Sequence, residues 1–177
     1  MGIPQDFEKE KLIIGVIFSD EEIHREVLSI LTEKFGEIED ISEEYSFSDD
    51  FSSYYDDELG GKGRRIIYSF KQTVDPELQA EIKEYTNDIE NKYSRRINLD
   101  PGFINTGRLL LATTKAIGHR IPLKRGIYTE LTLFWARGKW QKLPWTYRDY
   151  QTERVQKFIT RVRNKYLKER KIIKKIK

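Results

Sequence analysis

Residues 11–18 (KLIIGVIF) make an apolar run too short for a buried helix and rich in β-branched side chains, which reads as a central strand. The segment after it narrows the topology. Ser19 with Glu22 three positions on has the form of a capping box, Ile23, Val27, Ile30, Leu31 and Phe35 recur at helical spacing, and Gly36 supplies a stop. Residues 37–48 alternate weakly as a second strand, and residues 64–74 (RRIIYSFKQTV) form a third after an acidic, aromatic loop. Asp75 then caps a second helix with Pro76 in its first turn, and Leu78, Ile82, Tyr85, Ile89 and Tyr93 form its apolar stripe before residues 97–99 close the unit. The order β-α-β-β-α-β is that of the ferredoxin-like split motif, with two helices on one face of an antiparallel sheet.

The remainder has a different texture. Residues 109–114 (LLLATT) and 119–123 are short strand candidates, and residues 127–135 alternate with Tyr128, Glu130, Thr132 and Phe134 on one face. Arg137-Gly138 suits a tight hairpin turn, and Asp149 caps a last helix whose Val155, Phe158, Ile159, Val162 and Tyr166 share one side. Asp100-Pro101-Gly102 reads as a turn. With no linker or repeat, a chain of 177 residues is expected to be a single α+β domain, its ferredoxin-like antiparallel sheet extended by C-terminal β-hairpins and closed by a basic C-terminal helix.

Charge is sorted along the chain. Residues 1–60 carry 4 basic and 18 acidic side chains, residues 61–106 carry 8 and 7, and residues 107–177 carry 20 and 4, within an overall net charge of +3. A basic third with Arg and Lys among Tyr and Trp is what a polyanion-binding surface requires, since cations neutralise phosphates and aromatics stack on bases. The competing reading is that the acidic part folds against the basic part, or against that of a second subunit, so that the two fields cancel.

The absence of cysteine excludes disulfide scaffolds, thiolate nucleophiles and cysteine-held metal centres. No run is long and apolar enough to span a bilayer, so no membrane partner is expected and a cytoplasmic location is. High Lys, Glu and Ile with a single Met resemble heat-adapted composition. Neither G-x-S-x-G nor G-x-G-x-x-G occurs, and the acidic loop with Asp49, Asp50, Asp56, Asp57 and Glu58 lacks the frame of a calcium loop.

The stretch from Ile97 onward carries N-L-D-P-G, L-A-T-x-K, H-R-I, G-I-Y-x-E and W-T-Y-x-D-Y segments, and Tyr54, Tyr55, Glu58 and Gly60 form an earlier Y-Y-x-x-E-x-G. In these motifs the chain resembles the uncharacterised prokaryotic domain of unknown function family 4416 over nearly its whole length. It departs at Arg148, where the family tends to have Pro, and at Pro122, where an aromatic is usual. The resemblance implies no established activity. Descriptions of some members as GTP-binding meet no P-loop here, because Gly60-Gly61-Lys62-Gly63 is not G-x-x-x-x-G-K-[ST] and precedes a strand.

The densest set of reactive groups is Asn98, Asp100, Lys115, His119, Arg120, Tyr128 and Glu130, which are expected to meet in one electropositive concavity. An imidazole flanked by carboxylates can move a proton near neutral pH, and Asp100, His119 and Glu130 can also offer one nitrogen and two oxygens to a divalent metal, while Lys115 and Arg120 hold a phosphate. For His119 a structural role, ligand contact and catalysis all stay open, as does a salt bridge for Glu130. Three functions are compatible with this set. The first is a binding module for a phosphate-bearing partner, RNA or a nucleotide, through Lys115, Arg120, Asn98, Tyr128 and the last helix. The second is an enzyme acting on a phosphorylated small molecule, with catalytic His119 and Asp100 or Glu130. The third is an assembly protein that pairs acidic and basic surfaces between subunits as a homo-oligomer.

Overall fold

The computed structural model describes residues 2–176, with side chains described as far as residue 171, so of the lysines expected to close the basic helix the side chains of Lys174 and Lys175 and the whole of Lys177 lie outside what is described. The strands are β1 (Glu10–Phe18), β2 (Ile38–Ile41), β3 (Tyr45–Ser46), β4 (Arg64–Val74), β5 (Ile97–Ile104), β6 (Arg108–Thr113), β7 (Ile121–Pro122), β8 (Tyr128–Ala136) and β9 (Lys139–Lys142). The helices are α1 (Glu21–Phe35), the single turns α2 (Phe47–Asp50) and α3 (Asp56–Leu59), α4 (Gln79–Lys92) and α5 (Glu153–Ile176). The strands form one antiparallel sheet in the order β2-β4-β1-β5-β6-β8-β7, with β3 beside β4 and β9 beside β8. The chain is therefore a mixed helix-and-sheet protein built on a large antiparallel sheet.

β1 is buried on both faces, which explains its unbroken apolar run. Its Leu12, Ile14, Val16 and Phe18 meet Val27 and Leu31 of α1 and Ile82 and Ile89 of α4 on one side. On the other side Ile13 joins Ile67, Ile104, Leu109 and Leu111 under Val155, Phe158, Ile159 and Val162 of α5. The sheet thus lies between two helical layers.

Local chemistry departs from the sequence pattern at several places. Asp20, not Ser19, caps α1, accepting from the backbone N–H groups of Glu22 and Ile23, while Ser19 Oγ donates to the Leu59 carbonyl at 2.6 Å. Residues 37–48 hold two short strands rather than one. Gly36, at φ 89°, ends α1 as its position suggests. Arg137 and Gly138 both take positive φ, the geometry of a type I′ hairpin turn between β8 and β9. The alternation from Tyr128 to Phe134 is broken by a bulge opposite Leu109 and Leu110, which brings Leu133 into the α5 side.

The largest departure is at Asp100-Pro101-Gly102, which lies within β5 and pairs in register with Ile13, Ile14 and Gly15 of β1. Pro101 cannot donate a ladder hydrogen bond and is tolerated because its nitrogen points away from β1. β6 pairs with β5 only from Gly102 to Ile104, so the two strands part before that point. The exposed edge is completed by α4: Lys83 Nζ donates to the Leu99 carbonyl at 2.7 Å, and the Leu99 N–H donates to Glu90 Oε1 at 2.8 Å.

The charged thirds of the sequence meet in space. Arg108 pairs with Glu10 at 2.6 Å, Arg154 with Asp50 at 2.6 Å, Arg161 and Lys165 with Asp40 at 3.0 Å each, and Arg170 with Glu8 at 2.5 Å. Burial works against the charge of Asp40, yet Arg161 and Lys165 hold its carboxyl below the usual range. Lys11 is fully buried and its ammonium joins β2 and α5 to the central strand, reaching Glu39 at 2.8 Å, Glu169 at 2.9 Å and the Lys71 carbonyl at 2.9 Å.

Because Lys11 pairs with two carboxylates at once, Lys11→Ala is expected to lower unfolding stability by about 3 kcal/mol, the range for breaking a buried ion pair. The urea midpoint measures it, and a loss below about 1 kcal/mol would show that water replaces the ammonium without strain.

Candidate functional site

The gap opened where β5 and β6 part is a cleft of about 270 Å³. Its floor is Asn98 and Asp100 from β5, which share one face at strand spacing, and Asn87, Glu90, Lys83 and Asn91 from α4. One wall is the end of β6 and the segment after it, from Leu111 to Lys115, with Glu130 of β8 behind. The facing wall comes from the acidic loop, where Phe47, Tyr54, Tyr55 and Glu58 stand over the opening. That loop is held by Ser48, whose Oγ bonds Asp56 at 2.5 Å, and by Lys62 on Asp49 at 2.6 Å.

Arg65 is the structural centre of the cleft. It sits on an inward position of β4, 4% exposed, and its Nη2 reaches Asp100 Oδ2 at 3.1 Å and the Tyr150 hydroxyl at 3.3 Å. Its Nε lies 3.4 Å from Asp149 Oδ2, which also accepts from the Tyr45 hydroxyl at 3.1 Å. Burial opposes the guanidinium charge, but Asp149, Tyr150 and Asp100 together raise its pKa above the ordinary value. Gly15 makes room for this arrangement, since a Cβ there would come within 2.5 Å of Arg65 Nη2. Asp149 is therefore a buried counter-charge rather than the cap of the last helix, and α5 begins after Thr152, whose hydroxyl lies 3.5 Å from the Val155 N–H.

The second network lies behind the β6 wall. Glu130, 1% exposed, accepts at Oε2 from Arg120 Nε at 2.8 Å and from the imidazole Nε2 of His119 at 3.1 Å. Arg120 also donates to the Lys115 carbonyl at 2.8 Å and to the Tyr147 hydroxyl at 2.7 Å. The His119 ring stacks on Trp145 at 4.6 Å, and Trp145 Nε1 donates to the Leu131 carbonyl at 2.9 Å.

Four of the seven residues singled out in the sequence, Asn98, Asp100, Lys115 and Glu130, line this one cleft. Arg120 and His119 stand behind it through Glu130, and every guanidinium nitrogen of Arg120 is already engaged, so it is a pin for the wall rather than a free anion clamp. Tyr128 lies on β8 beside Thr113 and Pro122, outside the lining. Asp100 turns to Arg65 while Glu130 turns to Arg120 and His119, and among the described residues no three His, Asp or Glu side chains gather as metal ligands.

Nor is the cleft electropositive. Lys83 pairs with Glu90 at 3.5 Å, Arg95 with Glu58 at 3.3 Å and Arg120 with Glu130 at 2.8 Å, which cancels those charges. Arg65 faces two carboxylates, leaving one negative charge in excess beside Asp100. Lys115 forms no ion pair among the described residues, and its ammonium lies over the Tyr54 ring at 5.0 Å. Asn98 Nδ2 is buried with no hydrogen-bond partner. Burial raises the carboxyl pKa of Glu90 despite Lys83 and the Leu99 N–H.

Arg65, Lys83, Glu90, Asp149 and Tyr150 were not legible as site residues from spacing alone. Arg65 carried no clear signal, because β4 also holds Arg64, Ser69, Lys71 and Gln72 and a charge at its inward parity does not stand out. Lys83 and Glu90 sit seven residues apart on α4, two helical turns, but the apolar stripe of that helix carries the stronger periodic signal.

A family model described as Domain of unknown function (DUF4416) matches residues 8–166. Comparison with curated proteins returned no match, and neither did comparison with solved structures.

Gly15→Ala is expected to push Arg65 off Asp100 and to lower stability by about 2 kcal/mol, as overpacking a filled site does; an unchanged denaturation midpoint would show that the guanidinium finds equivalent partners. The tyrosines give a pH test. Burial pushes the Tyr147 hydroxyl up to about 12 and raises Tyr45, Tyr55 and Tyr150 further, each with carboxylate charge adding to the effect. Unfolded phenols ionise near 10, so the stabilisation is intact below about pH 10 and is lost as pH climbs through the folded values. Phenolate absorbance should therefore rise in two phases, the second coinciding with loss of circular dichroism. A single reversible rise near pH 10 with the fold intact would contradict this.

Proposed function

The chain belongs to the DUF4416 family, whose description names no activity, and we propose from the cleft itself that the protein binds a small phosphate-bearing molecule there. The observation that carries this reading is the balance of charge. With the other pairs cancelled, the cleft keeps one unpaired ammonium, Lys115, one excess carboxylate charge beside Asp100, and one buried amide donor without a partner, Asn98. That set complements a ligand with an anionic group for Lys115 and hydroxyl or amino donors for Asp100. A volume of about 270 Å³ suits a small molecule.

RNA is the less favoured phosphate source. A polyanion needs a continuous basic surface, and on α5 Arg154 and Arg170 are each neutralised by a carboxylate of the acidic first third of the same chain, while Arg161 and Lys165 share Asp40. The same neutralisation removes the main reason to pair acidic and basic poles between subunits. In the enzymatic version of the reading, Asp100 is the carboxylate that meets the ligand, while His119 acts only through Glu130 and is a positioning residue. The order β2-β4-β1-β5, with α1 and α4 on one face, supports a ferredoxin-like unit as the frame, with the later strands appended at the parted edge.

Titration with AMP and with a sugar phosphate at low salt should give saturable binding that weakens as salt rises. Lys115→Ala should cost about tenfold in affinity, the value of one hydrogen bond to a charged group, whereas Arg161→Ala on α5 should change it less than twofold, about the scatter of a surface substitution. No binding of either compound at millimolar concentration, or equal losses from the two variants, would reject the proposal.

A further inference from the structure

Resting on that reading, the geometry points to a phosphorylated pentose or other short polyol as the ligand, with Asn98 among the groups that meet its hydroxyls. Size is the first argument. A cavity of about 150 Å³ accommodates the six carbons of benzene, roughly 25 Å³ for each non-hydrogen atom. The cleft of about 270 Å³ then encloses about eleven such atoms, most of a pentose phosphate and about half of a mononucleotide.

The chemistry of the floor is the second. A sugar hydroxyl both donates and accepts, so it is matched by groups that offer both functions side by side. Asn87, Asn91 and Asn98 supply amides, and Asp100 supplies a carboxylate fixed by Arg65. The side-chain amides of Asn87 and Asn91 have no hydrogen-bond partner among the described residues, and the buried Nδ2 of Asn98 has none either. A donor held in that state costs free energy until an acceptor arrives. Asn98 and Asp100 lie two residues apart on one strand face, which suits neighbouring hydroxyls of one ligand.

The test titrates ribose 5-phosphate, AMP and inorganic phosphate into the full chain and into Asn98→Ala. Ribose 5-phosphate is expected to bind at least as tightly as AMP and about tenfold more tightly than inorganic phosphate, and Asn98→Ala should shrink that tenfold ratio to about twofold. If the alanine variant folds poorly by circular dichroism, Asn98→Ser reads the same ratio. AMP binding more than about tenfold tighter than ribose 5-phosphate, or a ratio unmoved by the substitution, would overturn the polyol assignment and leave the phosphate-binding cleft standing. Failure of all three to bind would overturn both.

Discussion

A single missing hydrogen-bond donor organises the middle of this protein. Pro101 occupies a position of β5 whose nitrogen faces the next strand, and β6 pairs only from Gly102 onward. The backbone of Leu99 is left with a donor and an acceptor that no strand satisfies, and burying either unpaired would cost about 1–3 kcal/mol. Lys83 and Glu90 of α4 supply the partners. The sheet can therefore open without orphaned backbone, and the opening is the cleft.

Charge inside the opening follows the same logic. A guanidinium as deeply buried as that of Arg65 is tolerable only with counter-charges at hand, and Asp100 provides one from β5 and Asp149 another from the turn ahead of α5. Gly15, without a Cβ, lets the side chain lie flat across β1 to reach both. Fixing Asp100 this way holds a carboxylate still at the floor while leaving it partly open, its side chain 29% exposed. A group held rigid before a ligand arrives loses little freedom on binding, which is the physical advantage of so much ionic scaffolding around a small space.

Sequence periodicity made the strands and the two early helices legible because their apolar faces repeat over many residues. It failed where one residue's local preference competed with pairing. Asp100-Pro101-Gly102 has the composition of a turn, but eight residues of register with β1 outweigh three residues of turn chemistry. Asp149 looks like a helix cap, but a buried arginine nearby draws its carboxylate inward. The bulge opposite Leu109 and Leu110 shifts the parity of β8 partway along, and no pattern confined to one strand announces it. The sorted charges were visible, and only the folded chain distinguishes neutralisation between the acidic and basic thirds from a surface offered to a polyanion.

The grouping of His119, Arg120 and Glu130 in sequence suggested chemistry, and their geometry gives them mechanical work. One carboxylate oxygen of Glu130 receives both Arg120 and His119, Trp145 holds the imidazole by stacking, and Arg120 ties the Lys115 backbone to the Tyr147 hydroxyl. The segment carrying Lys115 leaves β6 without a strand partner of its own, so it needs such a clasp to keep its ammonium over the opening. The imidazole Nε2, the Glu130 Oε2 and all three guanidinium nitrogens of this clasp are already hydrogen-bonded before a ligand arrives. The ionic groups able to answer one are those whose own partners are weak or shared: Lys115, resting on an aromatic face, and Asp100, sharing a single arginine with Asp149.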